Sequence, residues 1–201
     1  QTRPRAAVTD GRLVYISSDS EYNYLGGALV VIDPDTDQVE VYHHLIPDQN
    51  LPTLDTDPRT GLVWGGTDRW GQVRSHPPTQ ESSLIYAFDP EQRKVVATLT
   101  LWPGSDVTSV LGVSTEGVLV ASSGSEIALV DTTTREVLYQ GAFPLALPTR
   151  LRRGADGATY FISGGLLYRW DFSANTLTPV ARTPGCWDLS EASPGTWVVI
   201  D

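Results

Sequence analysis

The chain is predicted to be all-β, built from repeated four-stranded antiparallel sheets. Three observations lead there. First, a polar turn led by aspartate recurs as Asp33-Pro34-Asp35-Thr36-Asp37, Asp89-Pro90-Glu91-Gln92-Arg93, Asp131-Thr132-Thr133-Thr134-Arg135 and, more loosely, Asp171-Phe172-Ser173-Ala174-Asn175. The step is 56 residues from Asp33 to Asp89, 42 on to Asp131 and 40 on to Asp171. Second, a tight-turn signal returns in phase with it: Asp10-Gly11, Asp57-Pro58-Arg59-Thr60-Gly61, Glu116-Gly117, Asp156-Gly157 and Pro194-Gly195. Glycine supplies the positive φ that such hairpins require. Third, the apolar runs are short and strand-like, and no useful length shows helical periodicity. A repeat of about 40–45 residues made of short strands is the sequence signature of a β-propeller.

Each repeat reads as strands A to D, with A innermost. A short first A strand is expected near Arg5–Val8. The B strands are continuous apolar runs, as for strands covered on both faces: Leu13–Ile16, Leu62–Gly65, Val118–Ala121, Thr159–Ile162 and Trp197–Ile200. The C strands are Ala28–Ile32, Leu84–Phe88, Ile127–Val130 and Leu166–Trp170. The D strands alternate more, as in Val39–Tyr42 and Val95–Leu99, and belong outermost. This frame gives a single propeller region over 1–201, with blades at 5–47, 48–104, 105–147 and 148–184 and a half blade at 185–201. About four and a half blades do not close in an obvious way. The expectation is a larger propeller of six to eight blades, its missing blades supplied by further sequence or a second chain.

The formal net charge of −10 repels phosphate backbones and anionic lipid, so neither nucleic acid nor a membrane surface is an expected partner. No stretch is apolar for long enough to insert in a membrane as a helix. Cys186 stands alone, which leaves no intrachain disulfide and no cysteine-based metal site. A chain beginning at Gln1 with no methionine reads as a processed product or excised segment, compatible with an extracytoplasmic location.

Repeats share a scaffold, and function tends to sit where they depart from it. Two B–C connections are enlarged: 17–27 and 65–82, the second accounting for the 56-residue step. In later blades the same link shrinks to 122–125 and 163–165. B–C links emerge on one rim, so insertions from adjacent blades belong side by side. They carry Tyr22, Tyr24, Asp68, Arg69, Trp70, Arg74 and His76, the candidate ligand-binding residues, with Trp70 expected to be exposed. Aromatic and polar groups on a rim suit a protein or carbohydrate ligand. The competing reading is that the loops pack on each other and cover the rim.

No catalytic or metal set is assigned. Asp33-Pro34-Asp35-Thr36-Asp37 places oxygens at alternate positions but lacks the central glycine and distal glutamate of a calcium loop, and it recurs as a plain turn. His43 and His44 are neighbours on a strand and point to opposite faces, so they cannot easily share an ion. Asp48, Asp55, Asp106 and Asp188 lie on inner strands or links and are positioned to face a central channel, where a carboxylate pair could do acid–base work. No nucleophile elbow is present, and Gly26-Gly27 and Gly65-Gly66 precede no helix that could bind phosphate.

The Asp-Pro turns and the Asp-Gly turns resemble those of bacterial β-propeller repeat proteins of the YncE/NHL/quinoprotein-like group, over essentially the whole chain. Leu25-Gly26-Gly27-Ala28-Leu29 with Asp33-Pro34, then Pro47-Asp48-Gln49 and Gly65-Gly66-Thr67, resembles propeller regions of large secreted bacterial proteins. The resemblance implies the fold far more than a function, since this architecture hosts lactonases, lyases, dehydrogenases and binding modules. The tryptophan-docking motif of quinoprotein dehydrogenases is not evident. The expected function is a non-catalytic binding module that needs no cofactor. The alternatives are a sugar- or lactone-directed lyase or hydrolase at the channel mouth, and a scaffold completed by a partner chain.

Overall fold

A computed structural model describes residues 3–71, 74 and 76–200. Every regular element among them is a strand. They fall into two compact units: one runs to Val110 and includes Ala121–Gly124, and the other comprises Leu111–Val120 and the chain from Ser125 onward. The division falls within β9 (Val107–Val113) and β10 (Val118–Ser123).

The first unit opens with an antiparallel sheet in the order β1 (Arg3–Thr9), β2 (Val14–Asp19), β3 (Ala28–Asp33) and β4 (Gln38–His43). The next repeat supplies β5 (Asn50–Thr56), β6 (Val63–Asp68), β7 (Ile85–Asp89) and β8 (Lys94–Leu99), each antiparallel to the next. The end of β6 also pairs β9, Thr67 with Thr108 and Asp68 with Val107. Gly66 permits this approach, because a Cβ there would lie 2.1 Å from the Thr108 carbonyl oxygen. The core of this unit gathers Tyr15, Leu29, Leu51, Leu54, Val63, Tyr86 and Phe88. The ring of Tyr86 lies over the bare backbone of Gly65, and burial pushes its phenol far above the ordinary value.

The second unit holds the hairpin β11 (Glu126–Asp131) and β12 (Val137–Ala142). It continues with the four-stranded sheet β13 (Arg152–Arg153), β14 (Thr159–Ser163), β15 (Leu166–Asp171) and β16 (Thr176–Arg182), then the hairpin β17 (Asp188–Ser193) and β18 (Thr196–Ile200). Val120, Ile127, Phe143, Leu151, Phe161 and Trp170 form one core cluster. Ile162, Leu167 and Leu189 form another.

The strands and turns match the expected frame closely. The middle strands β6, β7 and β14 are mostly buried and β10 is half buried, whereas the outer β4, β12 and β16 are mostly exposed. The Asp-led turns close on their own carboxylates. Asp33 Oδ1 accepts the backbone N–H groups of Asp35 and Thr36, and Asp89 and Asp131 do the same two and three residues on. The fifth residue of each turn is left-handed: Asp37, Arg93, Arg135 and Asn175 have φ of 50–65°. The Asp-Gly turns work likewise. Asp10 accepts the N–H groups of Arg12 and Leu13 and the Tyr15 hydroxyl. Asp156 repeats the pattern with Ala158 and Tyr160.

The strands also correct two loop boundaries. β2 runs on to Asp19 and β6 to Asp68. Ser17 to Asp19 and Gly65 to Asp68 are therefore ladder residues, not loop, because backbone pairing continues through the small residues.

Candidate functional site

The two enlarged connections lie against each other within the first unit. Asn50, at the start of β5, bridges them: its Oδ1 accepts the N–H of Ser20 at 2.7 Å, and its Nδ2 donates to the Trp70 carbonyl at 2.8 Å. Ser20 Oγ donates to the Tyr24 carbonyl. Gly71 is buried where the Tyr24 carbonyl and His76 crowd it, and a Cβ there would lie 3.0 Å from that carbonyl oxygen.

Arg69 braces the longer loop. Its Nε and Nη2 lie 2.9 and 2.7 Å from Asp106 Oδ1, and its Nη1 donates to the carbonyls of Gln80 and Glu81 at 3.2 and 3.0 Å. The Arg69 N–H adds a bond to the Asp106 carbonyl. Charge-assisted bonds from a planar fork are the strong kind. Arg74 reaches Asp106 Oδ2 at 3.2 Å, and its guanidinium sits 4.9 Å from the centre of the Trp70 ring. The Asp106 carboxyl is held below the usual value, first by the nearby Trp70 indole N–H. The bonds and charge of Arg69 add to this, and then the charge of Arg74.

Asp68 behaves in the opposite sense. It accepts the Trp70 N–H at 2.8 Å, yet burial, together with Asp19 and Asp106, raises its carboxyl above the ordinary value. Asp19 is raised by burial as well, partly offset by Arg5 at 3.5 Å.

The seven candidate residues thus divide. Asp68, Arg69 and Trp70 are half-buried parts of the framework, whereas Tyr22, Tyr24, Arg74 and His76 are exposed. Tyr22 and Tyr24 each keep 63 % of their surface in water. The expectation that Trp70 is the exposed tryptophan is corrected, since Asp68, Asn50 and Arg74 enclose it; Trp187 is the exposed one, at 61 %. Asn50, the residue that joins the loops, is not among the expected site residues. A lone asparagine at a strand start carries no pattern that marks it.

Of the four aspartates expected to face a channel, Asp106 holds Arg69 and Arg74, Asp48 accepts the Thr79 hydroxyl at 2.7 Å, and Asp188 is paired with Arg152 at 3.2 Å. His43 and His44 are both exposed, and the His44 ring lies over Gly26. Among the described residues no group of three or more His, Cys, Asp or Glu side chains is placed to hold a metal ion, and no helix is long and apolar enough to cross a membrane.

No family model and no curated protein matches the sequence. Solved structures do. The RRP9 WD40 repeats align with a TM-score of 0.61 at 12 % identity, covering 89 % of this chain and 51 % of that one. The extracellular domain of BT4673 from B. thetaiotaomicron aligns at 0.63 and 11 %, covering 99 % and 26 %. The Dos1 propeller aligns at 0.57 and 14 %, covering 86 % and 43 %. The chain therefore has the β-propeller fold, and it spans about a quarter to a half of the length of these neighbours.

Proposed function

We propose that this chain is a non-catalytic β-propeller binding module whose ligand is a protein or carbohydrate seated on the two enlarged rim loops. One observation carries the reading: Tyr22 and Tyr24 stand exposed on a loop whose base is fixed by buried hydrogen bonds through Ser20 and Asn50. Rigid aromatic side chains on a fixed base supply contact area at little entropic cost. Arg74 and His76 border them as polar, exposed groups on the neighbouring loop. Arg69 and Trp70 serve the site by holding that loop, not by touching ligand.

The test is a glycan array probed in parallel with photo-crosslinking, in which a crosslinker replaces His76, an exposed residue of the neighbouring loop. The loop assignment predicts that glycan binding, or a discrete crosslinked partner, is lost in the Tyr22→Ala/Tyr24→Ala variant while the melting curve stays unchanged. Binding that survives both substitutions sinks it.

A second reading concerns completion of the propeller, as a six- to eight-bladed extracytoplasmic bacterial protein of the YncE-like kind. Among the described residues β18 pairs with β17 alone and leaves Val198, Val199 and Ile200 exposed, where the corresponding strands β6 and β14 are largely buried. Further strands from the same polypeptide or a second chain would cover that edge. A stable, compact monomer of 21.9 kDa in size-exclusion light scattering would argue against it.

A further inference from the structure

One groove type occurs twice, and the two copies differ in chemistry. In the first unit it lies between β3–β4 and the end of β7, has a volume of about 160 Å³ and is lined by Arg12, Glu40, Phe88, Glu91 and Arg93 among others. Ion pairs cross it: Arg93 to Glu40 at 3.0 Å and Arg12 to Glu91 at 3.1 Å. Tyr42 plugs it, with its ring edge-on to Phe88 at 5.0 Å and its hydroxyl donating to Glu40 at 2.7 Å. In the second unit the groove between β11–β12 and β15–β16 measures about 600 Å³.

The strand ladders align the two. A bulge at Leu138 shifts β12 by one residue, so Glu40, opposite Val31, becomes Tyr139, opposite Leu129, and the plug Tyr42, opposite Leu29, becomes Gly141, opposite Ile127. On the opposite wall, one residue before the turn aspartate, Phe88 becomes Trp170; four residues after, Arg93 becomes Asn175. Both partners of the Glu40–Arg93 ion pair and the aromatic plug are thus absent from the second copy. Apolar walls remain. Trp170 stacks on Phe172 at 4.3 Å and meets Phe143 at 5.6 Å, and Leu138 stands 56 % exposed at the mouth. Trp170 also carries a buried indole N–H with no hydrogen-bond acceptor, a group that Phe88 does not have.

We infer that this second groove is a binding site for an uncharged, largely apolar small molecule, of aromatic or acyl character. The volume falls in the range of small-molecule pockets, and such pockets are mainly hydrophobic with a few polar anchors. Its lining residues include no charged group, so an ionised ligand would lose hydration without compensation. Asn175, exposed at the edge, offers one amide for a polar end of the ligand. This site is separate from the rim loops and does not depend on their assignment.

The test uses Nile red, an uncharged aromatic dye, titrated into the whole chain and followed by its fluorescence. Saturable binding at one site per chain is expected. The Leu138→Glu/Asn175→Arg variant places a carboxylate and a guanidinium at two exposed positions of the lining. It is expected to weaken dye binding at least about tenfold, with the circular dichroism spectrum and melting curve retained. Absent or unsaturable binding, or equal binding to the folded variant, overturns the proposal. So does a dimer in light scattering that the variant converts to monomer, since the groove would then be an interface between copies.

Discussion

Arg69→Ala tests the claim that the long rim loop is held by a brace. Arg69 makes four side-chain interactions: two with Asp106 and one each with the carbonyls of Gln80 and Glu81. A bond to a charged group contributes about 1.5–3 kcal/mol when well shielded, whereas an exposed ion pair contributes about 0.2–1 kcal/mol. The Arg69 and Asp106 side chains are 20 % and 33 % exposed, between those limits. Water also reaches the freed carbonyls, so the loss is smaller than a sum over bonds. The expected destabilisation is about 2 kcal/mol, or about 4–8 °C in the melting temperature of a chain this size. Asp106→Asn on the Arg69→Ala background should cost little more, because the two changes remove the same interaction.

The electrostatic sign provides a second check. Asp106 is held below its ordinary value, so its contribution is present above the unfolded value and is lost as pH falls through the folded one. The gap between wild type and Arg69→Ala in urea titrations should therefore narrow in acid. Trypsin supplies the local measurement, since cleavage after Arg74 should quicken once the loop is unbraced. A melting shift under about 1 °C with unchanged cleavage would refute the brace and return Arg69 to the pool of ligand-binding residues.

Two further outcomes follow from the same geometry. Asp68 is raised by burial, so the charged carboxylate opposes folding near neutral pH; its favourable contribution is present below the unfolded value and is lost as pH rises through the folded one. Asp68→Asn keeps an oxygen for the Trp70 N–H and should stabilise the chain at pH 7, with the advantage shrinking towards about pH 4 in paired urea titrations; a pH-independent difference contradicts this. Gly66→Ala places a methyl against the Thr108 carbonyl, with backbone on both sides and no flexible group to yield. A loss of more than about 3 kcal/mol or failure to fold is expected, and a wild-type urea midpoint would show that β6 and β9 are not closely apposed.

How far the sequence could be read varied with the range of the interactions. The Asp-led and Asp-Gly turns bond within three residues of the leading aspartate, so residue identity alone announces them, and with them the strand frame. Loop limits were less legible. Ladder pairing carried β6 through Gly65, Gly66 and Thr67, residues that read locally as turn formers. The roles of Arg69 and Trp70 were illegible, because Asp106 is 37 residues from Arg69 and Asn50 is 20 from Trp70. The aromatic and charged content of the rim was visible; which of those groups face water depended on partners that no local pattern marks.

The self-bonded Asp turns also bear on how the chain reaches its fold. Each outer hairpin, β3–β4, β7–β8, β11–β12 and β15–β16, is joined by a turn whose bonds lie within three residues of its aspartate. Such contacts require little loop closure and form early. The pairing of β6 with β9 spans some 40 residues and must wait. Contact range therefore favours early formation of the hairpins closed by Asp-led and Asp-Gly turns and later formation of the β6–β9 pairing. A segment inserted at an Asp-led turn is expected to slow the hairpin of its own repeat.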